Sequence, residues 1–173
     1  NIALLSAGQA SAFTASQLGG LTNAQVTAIT TGVLSAFSTV QIAGLREAQI
    51  TALPTTNFLA LTSDQLGAFG TTQIRAISAA DLGVLTTTQL KGLSAADIGA
   101  LQPTQVTALA STVLADLSTV QLGGLSATQI GSFATTQSNA LSTTSISMLS
   151  VGQLAALKPA NVGALSVSAI SAL

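Results

Sequence analysis

Residues 117–133 read LSTVQLGGLSATQIGSF, and this stretch contains the pattern that decides the fold of the whole chain. Two eight-residue units, each opening on leucine, follow one another and lead into Phe133. The spacing extends in both directions, since a large apolar residue stands at every eighth position from Leu5 to Leu173, 22 times without an insertion or deletion. We call each unit an octad and number its positions 0 to 7 from this residue. The 173 residues hold 21 complete octads, and such repetition is typical of repeat architectures.

Four further positions of the octad are restricted. Position 1 is Ser or Thr in 14 octads, and position 4 is Gln, Asn or Asp in 17. Position 5 is Leu, Ile, Val or Phe in 19 octads, with Ala10 and Ser138 as the exceptions, and position 7 is mostly Ala or Gly. The consensus L-[ST]-x-x-Q-[LIV]-x-A therefore predicts one structural unit per octad.

This consensus predicts a very short α-helix in each octad. With Ser or Thr at position 1 as the N-cap, Gln at position 4 falls at N3, and the two can form a capping box. Positions 0 and 5 are then the two partners of a hydrophobic staple. A single continuous helix would not present one apolar face, because eight residues advance it about 80° beyond two turns and wind the apolar stripe around it.

The rarer residues agree with these helices of about one and a half turns. Pro103 and Pro159 fall at N1, where a missing N–H costs little. Arg75 and Lys91 fall late in their octads, where the helix dipole favours positive charge. Eleven of the fifteen glycines lie at positions 6 and 7, which we interpret as helix ends. The first turn of a helix favours negative charge, and four of the five acidic residues fall there: Glu47, Asp64, Asp81 and Asp97. Asp116 is the exception.

We therefore predict an all-α fold, a solenoid of very short helices that forms a single domain over residues 1–173. One such helix has no stability alone, so octads must stack and bury positions 0 and 5. A β-solenoid is the alternative, because Thr-rich runs such as residues 86–88 suit strands. Core positions 0, 5 and 7 do not follow the period of two that a strand requires. The chain opens on Asn1 rather than methionine, and we expect it to be part of a longer protein.

The composition excludes several classes of function. The chain has no Cys, His, Trp or Tyr, which removes thiol chemistry, imidazole acid–base catalysis and Cys/His zinc sites. Only 5% of the residues are charged, and the four Lys and Arg residues are scattered. Phosphate backbones bind clustered basic residues, so we expect no nucleic-acid partner. Ser, Thr or Gln interrupts every apolar run well before the length that crosses a bilayer, so we expect no membrane span.

The acidic residues are single and spread along the chain, which does not favour a paired-carboxylate site. Asp81 and Asp97 share the context SAAD two octads apart, and we expect them to stack in space and to cap helices in place of Gln. We interpret the pair Arg46–Glu47 as a solvated corner. Nucleotide-binding and serine-nucleophile motifs are absent. We predict no enzyme activity, no catalytic residue, no cofactor and no metal-binding residue.

The array of L-[ST]-x-x-Q-[ILV]-x-A units, seen plainly at residues 125–131, resembles octapeptide arrays of large secreted or surface proteins of Gram-negative bacteria. These include adhesin stalks and surface-layer or filament proteins. The resemblance covers the full length and implies an extracellular structural role without catalytic residues.

We thus expect a non-catalytic extracellular structural protein that assembles with copies of itself into a filament, sheath or surface layer, or that forms an adhesin stalk. Low charge leaves little repulsion to oppose self-association. A cell surface or a polysaccharide is a further candidate contact. The alternative is a binding surface for ice or polysaccharide, formed by rows of Ser and Thr at positions 1 to 3. Ice binding favours an uninterrupted Thr row, whereas position 2 includes Ala, Asn, Glu, Val and Pro.

Overall fold

The computed structural model describes residues 2–171, apart from the side chain of Ala3, and this part of the chain is helical without any β-strand. The all-α prediction is confirmed, and the β-solenoid alternative is wrong. After a 3-10 turn at Ile2–Leu4 come α-helices of four to six residues, one in each octad: α1 Ala7–Ala10, α2 Ala15–Gly19, α3 Asn23–Thr27, α4 Thr31–Ser35, α5 Thr39–Ala43, α6 Glu47–Ala52, α7 Thr55–Ala60, α8 Ser63–Gly67, α9 Thr71–Ala76, α10 Ala79–Gly83, α11 Thr87–Leu90, α12 Ala95–Ala100, α13 Pro103–Ala108, α14 Ser111–Ala115, α15 Thr119–Gly123, α16 Ala127–Gly131, α17 Thr135–Ala140, α18 Thr143–Ser147, α19 Val151–Ala155, α20 Pro159–Gly163 and α21 Val167–Ile170.

Every helix begins at position 2, directly after the predicted N-cap. In ten helices the N-cap hydroxyl accepts from the N3 backbone N–H while the N3 side chain accepts from the N-cap N–H, which is the predicted capping box. Four N-cap residues have no hydroxyl, and there the capping box keeps only the hydrogen bond from the N-cap N–H to the Gln Oε1: Arg46, Gly70, Gln102 and Ala134. The local rule of the octad therefore sets where each helix starts.

Eighteen of the 21 helices end at position 6 or 7 as predicted, and α1, α11 and α21 end at position 5. These ends are not left-handed glycine caps. No glycine in the described chain has a positive φ, and Gly20 and Gly44 close their helices at φ −78°. The chain turns the corner at position 0 or 1 of the following octad, where the backbone returns to the extended conformation, as at Leu53 and Pro54. Glycine at these positions has a different role, in the contact between turns.

Helices stack in three columns. The extensive helix–helix contacts all join helices three apart in the chain, from α1 with α4 to α18 with α21. One turn of the solenoid is therefore three octads, a number that the octad pattern alone does not give. We name the columns by their first helices: column A is α1, α4, α7, α10, α13, α16 and α19; column B is α2, α5, α8, α11, α14, α17 and α20; column C is α3, α6, α9, α12, α15, α18 and α21.

Positions 0 and 5 form one continuous apolar core, as predicted. Position 5 is fully buried from the first turn onward, as at Leu18, but Val162 and Ile170 in the last turn are 39% and 43% exposed. Position 0 shows the opposite pattern, since Phe13 in the first turn is half-buried while Leu165 in the last turn is buried. Position 5 thus packs against the following turn and position 0 against the preceding one. Leu173, the last predicted core position, lies outside the described residues.

Candidate functional site

The contact between successive turns is the most elaborate polar feature of the described chain, and Gln89 shows how it is built. Its Oε1 accepts from the backbone N–H and the hydroxyl of Thr86, which caps its own helix. Its Nε2 donates to the carbonyl oxygens of Phe58 and Leu61, at 2.7 and 2.8 Å, in the corner of the preceding turn. The side chain is only 5% exposed. One amide group therefore caps a helix and joins two turns.

This arrangement repeats along the stack. Ten Gln side chains at position 4 donate to a position 0 carbonyl of the preceding turn, and each also donates to a carbonyl at position 5 or 6 of the octad just before that residue: Gln41, Gln49, Gln65, Gln73, Gln89, Gln105, Gln121, Gln129, Gln137 and Gln153. We call them the Gln ties. The shorter Asn57 and Asn161 each reach one carbonyl.

The sequence prediction identified the capping role of Gln and missed the tie. A signal for it was present, because a capping box accepts Glu as well as Gln and the helix dipole favours Glu at N3. Position 4 nevertheless holds thirteen Gln and no Glu. Only the amide supplies an N–H donor, so the preference indicated an acceptor elsewhere in the fold.

A second contact between turns joins position 6 of one octad to position 7 of the octad three later. Thr27 donates a hydroxyl hydrogen bond of 3.1 Å to the Ala52 carbonyl, and Thr51 donates one of 3.1 Å to the Ala76 carbonyl. The Arg75 guanidinium does the same through Nε, at 3.1 Å from the Ala100 oxygen. These donors satisfy carbonyls at helix ends, which lack partners within their own helix.

At three of the glycines at position 6, Gly19, Gly67 and Gly99, the backbones approach too closely for a side chain. A Cβ atom added to Gly19 would lie 2.7 Å from the Gly44 carbonyl oxygen, and one added to Gly99 would lie 2.6 Å from the Gly124 oxygen. Both partners are themselves glycines at position 7. This close crossing of backbones accounts for the glycines at positions 6 and 7 of these pairs.

The structure separates the two aspartates that share the context SAAD. Asp97 caps its helix in place of Gln, with Oδ2 accepting from the Ser94 N–H at 2.9 Å, as predicted. Asp81 instead accepts from the Ser78 hydroxyl and, at 2.7 Å, from Thr55 of the preceding turn. The expectation that Asp81 and Asp97 stack is wrong, because turns contain three octads and these residues lie in columns A and C.

Arg46 is not simply solvated, as the sequence prediction had it. Its Nη2 lies 3.3 Å from the Leu21 carbonyl oxygen of the preceding turn, so this N-cap residue adds a contact between turns. Among residues 2–171, no group of three or more acidic, His or Cys side chains is placed to hold a metal ion. Within the same range, no helix has the length and apolar character needed to cross a bilayer.

The side surface carries one row of hydroxyl groups that only the three-column arrangement reveals. In column B, position 2 is Ser or Thr in five successive turns, at residues 39, 63, 87, 111 and 135. Beside it, Thr88, Thr112 and Thr136 stand exposed at position 3 in three successive turns. We call these eight residues the column B hydroxyl row. A shallow depression at its end is lined by Thr135 and Thr136 together with Asn139 and Ala164.

Comparison with known proteins identifies a repeat. Residues 58–91 and 74–111 match a family model described as the ALTTAQ repeat. Those six letters correspond to positions 7 to 4 of the octad, as in VLTTTQ at residues 84–89. No curated protein matches the chain significantly. The match, together with the stacked helices, shows an all-helical repeat array with a solenoid-like architecture.

Proposed function

We propose that this chain is a non-catalytic structural protein, a rod that assembles with copies of itself into a filament, sheath, surface layer or stalk. The observation that carries the proposal is the contact between turns. Its buried amides, carbonyls and apolar side chains all serve to join one turn to the next. Every full turn therefore offers on one face what the next turn needs, so the same contact can join separate copies.

The side surface supports this proposal through its low charge. Nine charged residues are spread over 173, and most exposed positions are Ser, Thr, Ala or Gly. Neighbouring rods would therefore repel each other weakly, and their contacts would depend on van der Waals packing and hydrogen bonds. A location outside the cell or at its surface is part of the proposal and rests on the resemblance of the octad array to secreted bacterial arrays.

Light scattering and electron microscopy of the purified chain test this function. We expect extended assemblies whose formation changes little between low and high salt, because screening weakens contacts between charges. A chelator should also have no effect. A variant with Ala48→Lys, Ala80→Lys and Ala96→Lys, all exposed at position 3, should lose lateral contacts and keep its helical circular dichroism. A dispersed monomer at high concentration would contradict the proposal.

A binding surface for polysaccharide or ice is the second candidate, and the column B hydroxyl row favours it. The interruptions at position 2 fall mainly in columns A and C, so one column keeps a regular row of donors and acceptors. Retention on insoluble cellulose and inhibition of ice recrystallisation separate the two ligands. Thr88→Ala, Thr112→Ala and Thr136→Ala together should abolish the activity. The matched set at the same octad position in other columns should retain it: Thr72→Ala, Thr104→Ala and Thr128→Ala.

A further inference from the structure

We infer that two copies of the chain associate side by side through the exposed face of column A. The inference rests on the self-association proposed above and names the surface that it uses. We call this surface the column A face, and it consists of the exposed residues at positions 2, 3, 6 and 7 of the seven octads that contain the column A helices. It lies on the side of the stack in every turn, and all seven octads belong to the part of the chain that the structure describes.

Charged residues are distributed unequally among the three columns. The only one in column A, Asp81, is 6% exposed and accepts a hydrogen bond of 2.7 Å from Thr55. The exposed charges all belong to columns B and C: Asp64, Lys91, Asp116 and Lys158 in column B, and Arg46, Glu47 and Arg75 in column C. A contact through column B or C would remove such charges from water, which costs free energy, whereas the column A face carries none.

The column A face also holds an exposed apolar pair. Leu59 at position 6 is 53% exposed, and Val84 at position 7 of the next column A octad is 39% exposed. The two residues have the sequence spacing of 25 at which Thr27 reaches Ala52, so they stand at the same contact between adjacent turns. Val151, at position 2 of the same column, is 84% exposed. A partner that covers this face therefore removes apolar surface from water without removing any charge.

The repeat of the column A face indicates a second copy of the chain as its partner. Positions 2 and 3 hold only Ala, Gly, Thr, Pro and Val in this column, and these side chains lose little conformational entropy when a partner covers them. The stacked helices form one ridge per turn with a groove between successive ridges. A partner fills these grooves in every turn only if its own ridges have the same spacing. A second copy has that spacing along its whole length.

The available area is sufficient for a stable contact. The chain exposes 7677 Å² in all, or about 2,500 Å² for each column, and a stable interface buries about 800 Å² of each partner. A contact that covers about a third of the column A surface therefore reaches this size. When the same face is used by both copies, the contact is isologous, and each residue of the face contributes to it twice.

Lysine substitutions in two columns test this surface. The first set places three ammonium groups at exposed position 3 of column A: Ala80→Lys, Thr104→Lys and Thr128→Lys. The matched set makes the same chemical changes at exposed position 3 of column C: Thr72→Lys, Ala96→Lys and Thr144→Lys. The column A set should weaken association by about a hundredfold or more, because an isologous contact buries six added charges, and the column C set should leave it unchanged. Sedimentation over a range of concentrations measures association, and circular dichroism confirms that both variants remain helical.

Removal of the apolar pair is an independent test. Leu59→Ser with Val84→Ser should weaken association by about tenfold or more. Val120→Ser with Met148→Ser removes side chains of column C that are more exposed, 71% and 59%, and should leave association unchanged. In either test, an equal effect of the two sets, no effect of either, or an effect of the column C set alone would overturn the column A contact and leave self-association through another surface standing. An unmodified chain that stays monomeric would overturn both the contact and the proposed function.

Discussion

Replacing Gln89 by glutamate separates the two roles of this side chain with a change of one functional group. Gln89→Glu keeps an oxygen that caps the helix through Thr86, and it removes the N–H donor that reaches Phe58 and Leu61. Two lost hydrogen bonds cost about 1–3 kcal/mol. An unpaired carboxylate at a 5% exposed position adds at least a similar penalty. We expect the free energy of unfolding to fall by about 2–5 kcal/mol at neutral pH.

Gln17→Glu is the matched control. Gln17 lies at the same octad position in the same column, caps Thr14 through Oε1, and is exposed without a tie. A carboxylate at N3 keeps the cap and interacts favourably with the helix dipole. The free energy of unfolding should therefore change by no more than about 0.5 kcal/mol.

The pH dependence of Gln89→Glu gives a second readout. Burial against two carbonyl oxygens raises the pKa of the introduced carboxyl above its unfolded value of about 4.3, because only the protonated form is neutral and can donate. The folded state then binds the proton more tightly than the unfolded state, so the destabilisation shrinks as pH falls through the raised pKa. Urea unfolding followed by circular dichroism at several pH values measures this. Equal unfolding free energies for the two glutamate variants at neutral pH would refute the tie.

Four further substitutions, one of them a matched control, test other parts of the stack. Gly92→Ala places a Cβ against the Ser63 carbonyl oxygen and should lower the free energy of unfolding by about 1–3 kcal/mol. In Gly152→Ala, the control, the added Cβ meets no atom within 4 Å, and the free energy of unfolding should rise by about 0.5 kcal/mol. Urea unfolding measures both changes. Leu93→Ala, at a 3% exposed core position, should lower the free energy of unfolding by about 2–5 kcal/mol. Hydrogen exchange should show that the loss of amide protection fades over a few octads, because each turn contacts only its neighbours. An equal loss of protection at both ends of the chain would contradict this. Ser138→Ala removes a buried hydroxyl without a partner in the described chain and should raise the midpoint of thermal unfolding, and a lower midpoint would count against the orphaned hydroxyl.

The helices could be predicted from the sequence because their signals are local. A Ser or Thr N-cap and a Gln at N3 lie in the same octad, so the pattern itself gives the helix start, as at Ser126 and Gln129. The apolar positions were equally local, since positions 0 and 5 are the large apolar sites that recur along the whole array. Helix existence, helix starts and core positions followed from these neighbours alone.

The number of octads per turn could not be predicted this way, because near-identical octads offer the same partners at every multiple of eight. The determinants lie between position 6 of one octad and position 7 of the octad three later. Glycine meets glycine there, as at Gly67 and Gly92. Pairs of glycines at this spacing are a signal that a comparison of adjacent octads does not reveal.

The Gln ties were missed for the same reason, because their acceptors lie in the preceding turn and depend on the turn length. The column B hydroxyl row likewise depends on sorting octads into three columns, since Thr88 and Thr112 are separated in sequence by two octads that face elsewhere. Long-range register thus determines each candidate surface.

A disulfide scan within one chain is the most direct test of whether one solenoid turn contains three octads. Gly131→Cys is combined in turn with Met148→Cys, Ala156→Cys and Ala164→Cys, which stand at position 7 of the second, third and fourth octads after that of Gly131. A Cβ atom added at Gly131 would lie 3.8 Å from the Ala156 Cβ, which suits a disulfide, and 3.0 Å from the Ala156 carbonyl oxygen. We expect rapid intramolecular oxidation only for Gly131→Cys with Ala156→Cys. Preferential closure of either other pair would contradict the three-octad turn.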